Sequence, residues 1–551
     1  MVLDNLIMHL QTVSTQIPEP NPFFNAFLYD FAKVSSFFQW NPRENFELCL
    51  SSRLENFTLR NVIPEILEEQ NRQWDAPKTV LEQINLLRND KTLAVVTGQQ
   101  VGLFTGPLYT VYKAISAIHY CKLLQKKYPE YNFVPVFWME ANDHDFEEIN
   151  HCFLPDPGDR PVKFEIPSEE QNRQSVYRLQ IAESIVELIH QMEKALPATE
   201  FRGEILSQLR QIYDSGGSYV RAFAKHLTTL LGEYGLIICD PSDPALKILA
   251  LPVFRKILDN PDMLSQSVQA DGELLRQKGF SPALNLPDHT TGIFVEDDSR
   301  RRVRLDYESG RFFLKDSGAS QEISRQILME WLEKSPERFS PNVALRPIIQ
   351  DLVFPTAVYI GGPGEMSYLA QLNSLYRKMQ VCQPAFLARA RATIVEKKVN
   401  RLIQKYGLTF EEIFRGNSNV VEKYLTGQAE PEVFHRLNSL GKVVENEFKK
   451  LQVSLIALEP TLQSPVDKTL KNTLRSLEQL KSKVENALKN RNKVEIEQIN
   501  RIFNLLMPNQ QYQERVYNII YFQVKYGPDF IGKLFEALNC EIPEHQLLIM
   551  E

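Results

Sequence analysis

The sequence predicts an α/β protein, an open parallel sheet interrupted by insertions and followed by a helical C-terminal region. Three observations predict it. Short apolar runs without helical period end in glycine-rich or polar loops and then lead into helical patterns. The first two runs lie about forty residues apart with a helix between them, the spacing of a right-handed parallel crossover. Beyond about residue 395, apolar residues recur instead at seven-residue intervals.

The 551 residues allow three or four folding units at ~100–200 residues each. With 43% hydrophobic and 24% charged residues, the chain is not too polar to fold. A net charge of −7 lacks the basic excess of a protein that neutralises phosphate backbones, so no nucleic-acid partner is expected. No run approaches the ~20 apolar residues of a membrane span, and no membrane partner is expected. Met1–Gln16 has neither the basic nor the apolar region of a signal peptide. The six cysteines, Cys49, Cys121, Cys152, Cys239, Cys382 and Cys540, form no CxxC, so no metal site of that spacing is expected. Such sparse thiols suit a reducing, cytoplasmic setting.

The first ninety residues read as largely helical, with turns at Pro18–Phe23 and Asn41–Phe46. Thr92–Thr97 is a β-branched run with the pattern of a buried parallel strand, and it enters the glycine-rich stretch Gly98–Pro107. Leu108–Leu124 then carries Val111, Ile115, Ile118 and Leu123 at helical spacing. A second strand, Phe133–Met139, ends in the polar Glu140–Asn150. A third, Gly235–Cys239, precedes Asp240–Pro244 and a helix. A fourth, Ala357–Ile360, leads through Gly361–Glu365 into a helix holding Tyr368, Gln371, Leu372 and Leu375. Open α/β sheets bind ligands outside the carboxyl ends of their strands, where these four loops would gather. The expected core is therefore 1–160, 216–258 and 340–394, with insertions at 161–215 and 259–339. The second insertion alternates like strands around Gly292–Val295 and Arg302–Leu305.

Within 395–551, Leu437, Val444, Leu451 and Leu458 keep a seven-residue spacing, with Phe448 and Leu455 between them. After Glu459-Pro460 a second run follows, including Val466, Leu470, Leu474, Leu477, Val484 and Leu488. Ser464 before Pro465 has the form of an N-cap. The pattern predicts an antiparallel coiled-coil hairpin over about 431–507, packed on itself or pairing two subunits.

Several groups suit chemistry. Gly98, Gly102 and Gly106 would let backbone N–H groups approach an anion, and the following helix N-terminus would add a favourable dipole. Thr105, Tyr109 and Lys113 lie near its first turns, Lys113 as a mobile cation. The alternative is a tight strand-to-helix connection; neither a P-loop nor GxGxxG is present. His144 between Asp143 and Asp145, close after Trp138, could serve as base, proton donor or metal ligand, or belong to a solvated acidic turn. Gly362, Glu365, Tyr368 and Gln371 could hug a ribose or purine, with Glu365 accepting from hydroxyls or an amine, or form an ordinary turn. Arg346, Gln350 and Asp351 need partners if buried, whether a ligand or core hydrogen bonds.

Taken together, TGQQVGLFTGPLYTVYKA, WMEANDHDFEEIN, LRPIIQDLVFPTAVYIGGPGEMSYLAQL and YQERVYNIIYFQVKYG resemble the bacillithiol biosynthesis cysteine-adding enzyme family over essentially the whole chain. The resemblance implies a Rossmann-like core with connecting insertions, similar to class I aminoacyl-tRNA synthetases, and a coiled coil that pairs two subunits into a homodimer. It implies a ligase of the last pathway step, joining the carboxyl of cysteine to the amine of glucosaminyl malate. ATP is the implied co-substrate, by way of a cysteinyl adenylate. It assigns Gly98, Gln99, Gln100, Gly102, Gly106 and Lys113 to nucleotide or substrate contacts, and matches Asp143, His144 and Asp145 to the polar strand end. Gly362, Glu365, Tyr368 and Gln371 match the second loop. Gly364 stands where alanine is expected, and Ala388 before Arg389 stands where proline is expected. No KMSKS-like motif and no zinc ligands for a thiol are present. An adenylate mechanism needs a base, His144 or Asp145, and cations for the malate carboxylates, Arg346 and Arg389. Replacing Gln99 and Lys113 by alanine is then expected to abolish turnover and leave the fold intact. Two other classes stay open: a nucleotide-binding or interaction protein acting through its coiled coil without catalysis, and a metal-dependent hydrolase built on Asp143, His144 and Asp145.

Overall fold

The computed structural model describes residues 8–12, 20–55, 57–167, 174–316, 319–416, 420–421, 423–424 and 431–550. The N-terminal stretch 1–7, the start of the turn at Pro18, and parts of both insertions (168–173 and 317–318) lie outside the described residues. The described chain forms two compact units, one from residues up to 157, 161–394 and 513–550, the other from 158–160 and 395–512.

The first unit is built on five parallel strands: β1 (Thr92–Gln100), β2 (Asn132–Glu140), β3 (Ile237–Cys239), β4 (Thr356–Gly361) and β5 (Ala385–Ala388). Their order across the sheet is β5-β4-β1-β2-β3, and every neighbouring pair is parallel. This is the doubly wound order 3-2-1-4-5, whose topological switch lies between β1 and β4. Thr92–Gly98 of β1 is buried without interruption, because both faces of the sheet are covered and no alternation is possible. The four strands read from the sequence are all present. The fifth carries only four residues, too few to show a period, and ends beside Arg389.

Helix α1 (Leu108–Lys127) makes the crossover from β1 to β2. Before β1 stand the helices Pro22–Tyr29, Phe46–Glu55, Ile63–Gln73 and Lys78–Leu86, as the helical reading of that region requires. Met8–Thr12 is instead a strand, antiparallel to Gln546–Met550 at the far end of the chain. Two further helices, α2 (Arg346–Val353) and α3 (Pro363–Leu369), flank β4. The helix expected to run on through Gln371 and Leu375 breaks after α3, and a separate one starts at Asn373.

The first insertion opens with an antiparallel hairpin, His151–Pro155 with Pro161–Glu165, so the expected boundary at 160/161 falls in its turn. The second insertion is a five-stranded antiparallel sheet ordered Ala319–Ile323, Arg311–Asp316, Arg302–Glu308, Thr290–Glu296 and Phe339–Pro341.

The segment Gln513–Met550, at the end of the expected 395–551 region, packs within the first unit and closes on a strand. Its anchor is the fully buried Asn518. Asn518 Nδ2 donates to Phe104 O at 2.9 Å and Gly106 O at 2.6 Å, while Oδ1 accepts from Ile520 N at 3.0 Å. Asn518→Ala strands two buried carbonyls and a helix cap. It is expected to lower stability by about 3 kcal/mol, read by urea unfolding.

The second unit carries the expected hairpin. Helix α4 (Pro431–Leu458) is joined to α5 (Gln463–Arg491) by the 3-10 turn Pro460–Leu462, and α6 (Lys493–Leu506) follows. Gln452 Nε2 reaches across to Asp467 at 2.7 Å, tying the two arms beside the bend. Ser464 lies inside α5 rather than capping it; Glu459 caps the turn instead, its carboxylate accepting from Thr461 N at 3.4 Å and from the Thr461 hydroxyl at 3.0 Å.

Candidate functional site

A cavity of about 330 Å³ opens at the carboxyl ends of β1, β2 and β4, where the topological switch places it. Its position follows from register. Gly98, Gln99 and Gln100 pair with Trp138, Met139 and Glu140, so both strands deliver polar groups at the same level. Gly98 is required there, because a Cβ would come within 2.7 Å of Trp138 O.

The floor is a buried ion pair. Lys113, on α1, is 3% exposed and lies 2.6 Å from Glu365 Oε2. Its Nζ also donates to Gly98 O at 2.8 Å and Gln99 Oε1 at 2.9 Å. Glu365 accepts in addition from Tyr359 OH at 2.7 Å and Gly362 N at 2.9 Å. Burial pushes Glu365 up, but the Lys113 ammonium and these donors outweigh it and hold the carboxyl below its usual range. Lys113 is therefore a fixed cation rather than the mobile one expected. Glu365 is already supplied with donors, unlike the open acceptor proposed for hydroxyls.

Around this floor stand further charged groups. Arg346 on α2 donates to Tyr368 OH and lies 3.7 Å from Glu140 Oε2. Glu140 Oε1 accepts from Asn142 N at 3.1 Å, while Oε2 accepts no hydrogen bond among the described residues. Burial pushes the Glu140 carboxyl above its usual range despite Arg346 and Arg302 nearby. Arg389, after β5, is buried and paired with Glu514 at 2.6 Å, and lies 5.6 Å from the centre of the Tyr109 ring. Tyr109 in turn accepts from Gln99 Nε2 at 3.1 Å.

From the antiparallel insertion comes Arg302, 6% exposed. Its Nη1 donates to Asp143 Oδ1 at 3.1 Å and lies 3.2 Å from His144 Nδ1, its Nε donates to Ser340 Oγ, and its guanidinium covers the Phe294 ring. Burial alone would raise Asp143, but the His144 and Arg302 hydrogen bonds hold its carboxyl far below the usual range. The stability this contributes is complete above the unfolded value of ~3.9 and is lost as pH falls through the folded one. The stability gap between wild type and Arg302→Ala is thus expected to narrow below about pH 4, measured by urea unfolding across pH. A gap constant with pH would mean that Arg302 acts by packing alone.

Thus Gly98, Gln99, Gln100, Tyr109, Lys113, Asp143, Arg346, Gly362, Glu365, Tyr368 and Arg389 line one cavity. Others named from the sequence do not. Trp138 shares the Glu140 face of β2 but lies two residues back, ~7 Å deeper, in the core against Phe354. Gln371 is buried and splints the segment 283–284, accepting from Ala283 N and Leu284 N at 2.6 Å. Gly102 and Gly106 belong to the loop filled by Asn518, and Leu108 N, at the start of α1, donates to Tyr517 O. The packing reading of that half of the glycine stretch therefore holds. Asp145 is exposed, and His144 stands behind Asp143 rather than on the cavity wall. The Arg302 guanidinium takes the place between Asp143 and His144 that a metal ion would need. Gln350 and Asp351 are core residues, joined at 3.3 Å.

Sequence reading missed Glu140, Arg302 and Arg515 among the lining residues. Glu140 had a signal, a carboxylate closing an otherwise apolar strand. Arg302 had none, since it arrives from an insertion in space.

Fold and site define a Rossmann-like α/β protein whose strand-end cleft gathers charged groups of both signs, joined in sequence to a helical hairpin unit. The chain belongs to the BshC family of bacillithiol biosynthesis. Residues 8–390 match the family's N-terminal Rossmann-like domain and 392–550 its C-terminal coiled-coil domain. It is 33% identical to a protein of Salinibacter ruber over 95% of each chain. It is 31% identical to one of Prosthecochloris aestuarii over 97% of this chain and 98% of that one. With one of Chlorobaculum tepidum the identity is 32%, over 89% and 88%. All three bear the name "Putative cysteine ligase BshC".

Proposed function

We propose that this protein is a cysteine ligase of bacillithiol biosynthesis that forms an amide between the carboxyl of cysteine and the amine of glucosaminyl malate. The observation that carries the reading is the single cleft in which guanidinium groups for anions and a carboxylate with an elevated pKa, Glu140, face one another. The names of the full-length relatives support it.

Cysteine's carboxylate does not acylate an amine unaided, and ATP as co-substrate would supply the activation by adenylating it and releasing pyrophosphate. The fit to such an anionic co-substrate rests on charge. Five cations, Lys113, Arg302, Arg346, Arg389 and Arg515, line the cleft against three carboxylates, Glu140, Asp143 and Glu365. A preorganised cationic wall stabilises developing negative charge without reorganising at the moment of reaction. The amine must shed a proton as it attacks. Glu140 suits that task better than the His144 or Asp145 expected from sequence. Its carboxyl lies on the wall, whereas His144 is engaged by Arg302 and Asp145 faces solvent.

The test is incubation of the pure protein with cysteine, glucosaminyl malate and ATP, reading product thiol and pyrophosphate. Both should appear together. Product without pyrophosphate would remove the adenylate, and no product would remove the ligase.

The hairpin supports pairing of two copies. Val453 and Leu458 on α4 are 73% and 77% exposed, large apolar groups that an isolated hairpin leaves in water. Val453→Glu with Leu458→Glu is expected to halve the mass seen by sedimentation equilibrium, and an unchanged mass would place any pairing elsewhere.

A further inference from the structure

The charges around the cleft pair off with one left over. Lys113 meets Glu365 and Arg302 meets Asp143. Arg346 faces Glu140, and Arg389 meets Glu514. Arg515, in the 3-10 turn Gln513–Arg515, also lines the cavity but is exposed, and among the described residues it has neither a carboxylate partner nor a hydrogen bond. Its fold neighbours are fixed. Glu514 next to it is buried and accepts from Arg389 and from Ala392 N at 2.8 Å, and Gln513 accepts from Ile394 N at 2.8 Å. The guanidinium is thus carried on a rigid turn and presented at the rim without a counter-ion. This is the arrangement of a group whose partner comes with the ligand, because a planar fork of donors matches a carboxylate in a bidentate pair.

We propose that Arg515 binds a carboxylate of the acceptor's malate half and so selects that acceptor, an inference that rests on the ligase reading above. The malate hangs from the anomeric carbon, next to the carbon that bears the reacting amine, so its carboxylates and that amine fall within one cavity, which Glu140 and Arg515 both line. With the amine at Glu140, Arg515 is the lining cation that is left to meet a malate carboxylate. Arg346 and Arg389, the cations favoured for this role from sequence, are already held by Glu140, Tyr368 and Glu514.

The test uses the full chain with ATP and cysteine while glucosaminyl malate is varied. Arg515→Ala should raise the KM for glucosaminyl malate at least tenfold, with a smaller effect on kcat and less than twofold on the KM for ATP. Arg515→Lys should recover part of the loss, since a point charge replaces the fork. The penalty should shrink below twofold when glucosamine, which lacks the dicarboxylate, is the acceptor. An unmoved acceptor KM overturns the proposal. So does a rise in the KM for ATP instead, which would mean that Arg515 binds phosphate, or an equal penalty on glucosamine. Wild-type protein that forms no amide rejects the ligase reading. Calorimetric titration with glucosaminyl malate then still decides Arg515, because at least tenfold weaker binding by Arg515→Ala upholds it, and equal binding or none by wild type overturns it.

Discussion

Lys113→Ala is expected to lower the stability of the protein by about 3–5 kcal/mol as well as abolish turnover. The sequence alone predicts loss of turnover with an intact fold when Gln99 and Lys113 are both replaced by alanine, because a lysine on the first turns of a helix reads as a mobile ligand. The structure instead buries its ammonium between Glu365, Gly98 O and Gln99. Removing the cation leaves the largely buried Glu365 carboxylate with the Tyr359 hydroxyl and the Gly362 amide as its hydrogen-bond donors among the described residues. The energetic loss is mostly that stranded charge, so the remedy is to remove it too. Lys113→Met combined with Glu365→Gln should recover most of the stability while activity stays lost. Urea unfolding of the two single variants and the double variant gives the coupling. A Lys113→Ala protein as stable as wild type would mean that the pair is not the floor of the cleft.

Glu140→Gln is expected to reduce amide formation by about 10²–10⁴-fold, the range for loss of a positioned base. The side chain keeps its shape and its acceptance from Asn142 N, so the packing should persist. The pH profile separates a base from a brace. Burial raises the carboxyl above its usual range, with Arg346, Arg302, Asp143 and Tyr368 the charged or titratable groups around it. Glu140 is the active base only when ionised, so kcat/KM for the wild type should fall as pH drops through its elevated pKa. In Glu140→Gln that acidic limb should vanish. A variant with the limb intact would return the proton to another group, His144 first. A profile merely scaled down together with cysteine-dependent pyrophosphate exchange would make Glu140 a support for Arg346.

Much of the core was legible because parallel strands buried on both faces leave uninterrupted β-branched runs, as in Thr92–Thr97, and because their loops are punctuated by glycine. The same cue misled at Gly102 and Gly106. A glycine-rich turn that cradles an anion and one that lets Asn518 reach two carbonyls have the same local sequence. They differ only in which segment, more than four hundred residues later, arrives to fill the turn. Trp138 and Gln371 misled for a related reason. Neighbourhood in sequence puts them beside the site, but the pleat sets Trp138 a step below the cavity, and the break after α3 turns Gln371 toward Leu284.

By itself, then, the amino-acid order determined four of the five parallel strands, the crossover helix, the hairpin and the family, because periodicity, turn chemistry and motif order are local and survive in one dimension. Tertiary structure alone decided which charges meet. Arg302 comes from an insertion, Arg389 from the end of a strand too short to read, just past its last residue, and Arg515 from a segment that returns after the helical unit. An ion pair is a property of distance in space, and no pattern along the chain records that Lys113 would be satisfied by Glu365 while Arg515 would be left without a partner among the described residues.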